Sequence, residues 1–154
     1  MTESSTLQAL PDRLELSAPA SEEMLDLVHV LLEHLWQQHE EVPVAERMRV
    51  EMAVIEILAN VIEHAFEVDS GRPAADERGD GRRFTITLGV TDAEVLIDLA
   101  DNGEPAAIDL SRVTMPDEDA ESGRGLALAL ASLTDLSFHS ADGRNHWSMR
   151  CDLS

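Results

Sequence analysis

Lysine is missing from this chain: all 11 basic residues among its 154 are arginine. That absence excludes a P-loop, which needs the lysine of its GxxxxGK[ST] motif, and a eukaryotic-type protein kinase, which needs one on its third strand. Schiff-base chemistry is excluded with them, for want of an amine. Positive charge is scarce in general: 11 basic against 31 acidic residues gives 11 − 31 = −20. Direct binding to nucleic acid or to an anionic membrane begins with a basic surface, so neither is expected, whereas basic protein partners would be steered in. Cysteine occurs once, at Cys151. No internal disulfide can form, a reducing cytoplasm fits, and with no activating constellation nearby Cys151 reads as a small filler in a last strand. No apolar run is long enough to span a bilayer, and the N-terminus carries no signal-peptide pattern. A single cytoplasmic domain over residues 1–154 is expected.

What is present falls into alternating elements. "RLELSAP" (13–19) has strand alternation and stops at Pro19. Ser21, followed by Glu22 and Glu23, reads as the N-cap of a helix that carries Met24, Val28, Leu31 and Leu35 at helical spacing to about His39. After Pro43 a second helix is expected from about Val44 to Phe66, then a polar, glycine-rich loop over 69–82. "RFTITLGVTDAEVLIDLAD" (83–101) is two alternating runs joined at "TDA", a β-hairpin, and it ends in the turn "DNGEP". Residues 106–122 are an acidic connection without strong periodicity. "GRGLALALASLTD" (123–135) reads as a glycine-led helix, and Phe138 and Trp147 lie in a final hairpin turning at "ADGRN". This order predicts an α+β fold: a two-layer sandwich whose mixed, mostly antiparallel sheet is covered on one face by helices.

The second helix poses the central question. Ile55, Ile57, Leu58, Val61, Ile62, Ala65 and Phe66 leave little of "IEILANVIEHAF" free of apolar side chains, which demands burial. Yet Glu56, Asn60 and His64 recur within it every fourth residue, at about 0°, 40° and 80° around the axis. Burying such groups unpaired is costly, so the stripe should face a polar cleft. Asn and Glu supply hard oxygens that suit Mg²⁺ when waters and phosphates complete its octahedron. A glutamate one turn from the amide is placed to orient or deprotonate a hydroxyl. Glu63 lies on nearly the same face, so spacing leaves both carboxylates open, and the distance of Glu56 from the helix end favours it. Asp101 leaves a strand into Asn102 and Gly103, where its carboxylate can accept from an exocyclic amine such as that of adenine. Gly123 and Gly125 precede or open a helix, where exposed amides and the helix dipole favour phosphate.

Taken together and in order, "EILANVIEHAF", "DNGEP" and "GRGLALA" resemble the ATP site of the GHKL superfamily, the Bergerat fold, and more closely the small bacterial anti-sigma-factor serine/threonine kinases. The resemblance runs from the first strand to the last hairpin, and these ATPases use no P-loop, in agreement with the missing lysine. It implies ATP or ADP with Mg²⁺, Glu56 as general base and Asn60 as the Mg²⁺ ligand. His64 and Pro105 fall within the matched boxes, Asp101 would read the adenine amine with Gly103 against the base, and Gly123, Arg124, Gly125 and Leu126 would border the phosphates. Residues 106–122 would be the ATP lid. It further implies a homodimer that sequesters a sigma factor or similar regulator and phosphorylates a STAS-domain antagonist. The alternative is a nucleotide-gated switch that sequesters without appreciable catalysis; the presence of Glu56 leans toward the kinase.

One departure concerns the lid: Ala106 and Ala107 stand where many relatives carry phenylalanine and aspartate after the proline. Two histidine patterns carry no function. His39 precedes Pro43 by four residues rather than the five of a sensor-kinase phosphoacceptor box and reads as a solvated helix-end histidine. His29, His34 and His39 recur every fifth residue, which scatters them around a helix instead of gathering a metal.

Overall fold

Alternation is the rule on which the sheet is built. A computed structural model of the chain describes residues 3–68, 82–103, 124–141 and 143–153, and within these the side chains of 3–5, 64–68 and 124 lie outside the description. The elements run α1 (Glu3–Ala9), β1 (Leu14–Pro19), α2 (Glu23–Gln38), α3 (Val44–Val68), β2 (Arg83–Val90), β3 (Glu94–Asp101), α4 (Arg124–Ser132), β4 (Asp135–Ala141) and β5 (Arg144–Asp152). The strands form one sheet in the order β1-β2-β3-β5-β4. Each of its pairings is antiparallel, so the expected mixed character does not occur among the described residues.

Register decides which side chains share a face. Leu88 pairs with Leu14 and Ile97, Ile86 with Leu16 and Leu99, and Leu99 in turn with Trp147. These directly opposed residues point the same way. On that face lies the core: Phe84, Ile86, Leu88, Ile97, Leu99 and Met149 are fully buried against Val28, Leu32 and Leu35 of α2 and Val54, Ile57 and Leu58 of α3. Fully burying each such aliphatic side chain contributes about 1.5–3 kcal/mol. Phe138 and Trp147, opposite each other in the last hairpin, pack with ring centroids 4.6 Å apart. Cys151 is buried on the same face as the core, as the filler reading required, and its thiol is pushed up by that burial first, then by the nearby Glu46 carboxylate.

Three details differ from the sequence reading. The first is α1, which alternation and spacing did not reveal. It packs on the opposite face of the sheet: a Cβ placed on Gly89 would come within 2.7 Å of Leu7 Cδ1 and Leu10 Cδ1. Glycine there lets the helix approach the strand, and Leu7 is fully buried while Leu96, which pairs with Gly89, is 1% exposed. Ser21 does not cap α2, which begins at Glu23. Glu22 already has helical angles (φ −58°, ψ −30°) and Met24 N donates to the Ser21 carbonyl at 3.0 Å, so the chain enters through a tighter turn. Finally, His39 is buried instead of solvated. Its Nδ1 is 3.2 Å from Glu41 and its Nε2 3.3 Å from Asp12, so it ties the end of α2 to the segment between α1 and β1.

Candidate functional site

The core explains how α3 holds its polar row. Val50, Ala53, Val54, Ile57, Leu58, Val61 and Ile62 bury one broad face of the helix, which fixes its rotation about its axis. Its approach to α2 is pinned by Trp36 Nε1 donating to Glu51 at 2.7 Å, and by Arg47, which donates to the carbonyls of Val42 (2.7 Å) and Glu40 (2.9 Å) in the connection. With α3 so oriented, Glu56 and Asn60 emerge half-buried beside the core face, while Glu63 is exposed. The choice between the two carboxylates that spacing left open is thus informed by burial.

Gly125, in the first turn of α4, meets Glu56 directly. A Cβ on Gly125 would fall onto the Glu56 carboxylate and lie 3.2 Å from its Cδ. Glycine lets the first turn of one helix close on the carboxylate of the other, where any larger residue would push the Glu56 side chain aside. The first-turn amides of α4, a phosphate-favouring environment, therefore lie beside the Glu56 carboxylate. Leu126, next along, packs against the core cluster and anchors this turn.

At the end of β3, Asp101 is 7% exposed, and its Oδ1 accepts from Gly103 N at 2.8 Å and from Asn145 Nδ2 at 3.0 Å. Asn145 is the direct partner of Asp101 across β3 and β5 and is 2% exposed. The turn is braced from β2: Arg83 N donates to Asn102 Oδ1 at 2.8 Å, and Arg82 to the Asn102 carbonyl at 2.7 Å. A small recess beside Asp101 is lined by Ala20, Val61, Arg82, Arg83, Asn102 and Gly103. Val61 follows Asn60 on α3, so the recess opens at the same helix that carries the polar row.

Five of the residues singled out in the sequence are thereby gathered around α3: Glu56 with Gly125, Asp101 with Gly103, and Asn60 between them along the helix. The side chains of His64 and Arg124, together with Pro105, Gly123 and the 106–122 segment, lie outside the described residues. Asn145 was missed. Its signal is the cross-strand register, which no local motif carries.

Mg²⁺ fits this donor set. Among the described residues no three His, Cys, Asp or Glu side chains gather as a metal cage. Mg²⁺ asks for none, because it is held by one or two protein oxygens with waters and phosphates completing the shell. The Asn60 amide and the Glu56 carboxylate are oxygens of that kind.

Comparison with known proteins agrees with this fold. Residues 18–151 match the sequence family described as the histidine kinase-like ATPase domain. A search of curated proteins gives no significant match. Among solved structures, the SiaB-SiaC complex from Pseudomonas aeruginosa aligns with a TM-score of 0.58 at 18% identity, over 97% of this chain and 94% of that one. The RsbU and RsbW domains of Rv1364c from Mycobacterium tuberculosis align with a TM-score of 0.63 at 15% identity, over 94% of this chain and 33% of that longer one. The catalytic domain of the histidine kinase ThkA gives a TM-score of 0.51 at 13% identity, over 91% of this chain and 96% of its own. At such identities these likenesses show a shared fold. Among the described residues, no helix is long and apolar enough to cross a membrane.

Proposed function

The chain belongs to the histidine kinase-like ATPase domain family, and from that premise we propose that it is an ATP-dependent serine/threonine protein kinase acting as an anti-sigma factor. In this reading it binds Mg·ATP, phosphorylates a STAS-type antagonist, and sequesters a sigma factor or similar regulator as a homodimer in the cytoplasm. The observation that carries it is the closure of Gly125 on Glu56, which sets a basic oxygen beside the first turn of a helix. A module that only gates binding by nucleotide has no need of that carboxylate.

The roles follow from position. Asp101 takes the adenine amine through Oδ2, because both donors it meets among the described residues fall on Oδ1. Gly103 gives the base its close approach, and the α4 first turn receives the phosphates. Asn60 would hold Mg²⁺, which would supply neutralisation of charge on the phosphate oxygens. Glu56 orients the acceptor hydroxyl and takes its proton as the oxygen–phosphorus bond forms. The bond from the γ-phosphorus to the β-phosphate oxygen breaks, ADP leaves with that electron pair, and the proton passes from Glu56 to solvent. Positioning and electrostatics carry most of such a transfer.

Glu56→Gln tests the reading, since it keeps volume and hydrogen bonding while removing the basic oxygen. ATP affinity should hold, and transfer of labelled phosphate to an antagonist serine should fall by about 10²–10⁴-fold. Transfer by the variant at the wild-type rate removes Glu56 from catalysis. If the wild type phosphorylates no STAS-type antagonist, the nucleotide-gated switch replaces the kinase.

A further inference from the structure

The polar row of α3 continues backwards as something else. Stepping by four residues from Glu56 toward the helix start gives Met52, Met48 and Val44. They are 38%, 64% and 67% exposed. One ridge thus runs from bare apolar side chains to the carboxylate, Met52 lying about 6 Å and Met48 about 12 Å before Glu56 along the axis. The charge pattern around it is equally selective. The exposed positions of segment 43–52 are Pro43, Val44, Ala45, Met48, Arg49 and Met52. None of them is acidic, in a chain with 31 acidic residues among 154. Within this segment Glu46 is 19% exposed and is held 3.7 Å from Arg49, and Glu51 accepts from Trp36 Nε1. Three apolar side chains left bare in one row on a strongly acidic chain suit a contact with another molecule. The continuity of the row with Glu56 indicates which molecule that is.

We propose that the Val44–Met48–Met52 ridge of α3 docks the phosphoacceptor protein, gripping an apolar patch that lies about 6–12 Å from the hydroxyl presented to Glu56. The proposal rests on the kinase reading above and adds the way in which the substrate is selected. Methionine suits the task because its unbranched, polarisable side chain moulds to different apolar partners. The absence of exposed carboxylates along the ridge spares such a partner the cost of desolvating them.

The test uses the full chain and a panel of isolated, fluorescently labelled STAS domains that carry a serine or threonine acceptor. Anisotropy with the ADP-bound protein reads binding, and labelled ATP reads transfer. Met48→Ser and Met52→Ser, both at exposed positions, should each raise Kd and KM for the partner about tenfold, with kcat within about twofold and ADP affinity unchanged. Leu27→Ser, at an exposed apolar position of α2, should leave all four unchanged. Methionine-dependent binding without transfer upholds the docking ridge and removes the kinase reading. Transfer that is indifferent to both methionines, or equally weakened by Leu27→Ser, overturns the ridge and leaves the kinase. A wild type that binds no STAS domain overturns both.

Discussion

Asp101 shows how far one residue can be argued from its bonds. Gly103 N and Asn145 Nδ2 both donate to Oδ1. In Asp101→Asn these two donors keep the amide oxygen where Oδ1 was, so the new NH₂ must take the place of Oδ2. An adenine amine would then meet a donor instead of an acceptor, and ADP binding should weaken by about 1–3 kcal/mol. Calorimetry reads this directly, and unchanged affinity with an intact fold removes Asp101 from the adenine role. That Asp101, Gly103, Glu56, Asn60 and Gly125 gather around α3 was foreshadowed in the sequence because their signals are local: a four-residue period, a strand that ends in a turn, a glycine at a helix start. Asn145 was not legible, since its meaning comes from a neighbour 44 residues away. His39 misled for the same reason. Its spacing placed it at a helix end, but Asp12 and Glu41 meet it only once the chain has folded.

Among the elements, β1, α2, α3 and the 83–101 hairpin follow the hydrophobic period of the sequence, because each buries one face in a common core. The element that escaped, α1, is 7 residues long, too short to persist without packing. It is held chiefly by Leu7, fully buried, over the gap left by Gly89. Leu7→Ala should release it, since truncating a buried leucine costs about 2–5 kcal/mol. Trypsin provides the measurement. In a chain without lysine it cuts only after arginine, and the first such bond follows Arg13, whose side chain donates to the Leu10 carbonyl at 2.8 Å just beyond α1. Cleavage there should be about tenfold faster or more in the variant, as expected when local opening becomes easier by that much. Nucleotide affinity should not change, because α1 covers the face of the sheet turned away from α3. Equal cleavage rates would mean that Leu7 does not hold the helix in place.

On the scale of the whole molecule, charge and topology set the behaviour. The arginine–carboxylate pairs seen among the described residues are long: Arg150 lies 3.8 Å from both Glu94 and Asp152, and Arg49 lies 3.7 Å from Glu46. Pairs of this kind add little, and a net charge of −20 brings self-repulsion. Raising the NaCl concentration to about 1 M shortens the screening length to about 3 Å. The melting temperature should then rise by roughly 2–4 °C for each kcal/mol of repulsion removed, and a fall in calorimetry would show that attractive pairs dominate instead. The sheet order β1-β2-β3-β5-β4 has a consequence of another kind, in biosynthesis. Strand β3 holds Asp101 but lies between β2, its immediate predecessor, and β5, which leaves the ribosome only after α4 and β4. A nascent chain that stops short of residue 144 has made Glu56, Asn60, Asp101 and Gly125, yet β3 has an open edge and Asp101 lacks its amide partner. Pairing β3 with β5 must also close a long loop, which is slow compared with forming the β2–β3 hairpin. If Asp101 reads adenine as proposed, nucleotide finds no finished pocket during most of translation and becomes a ligand only as the fifth strand slots in between β3 and β4.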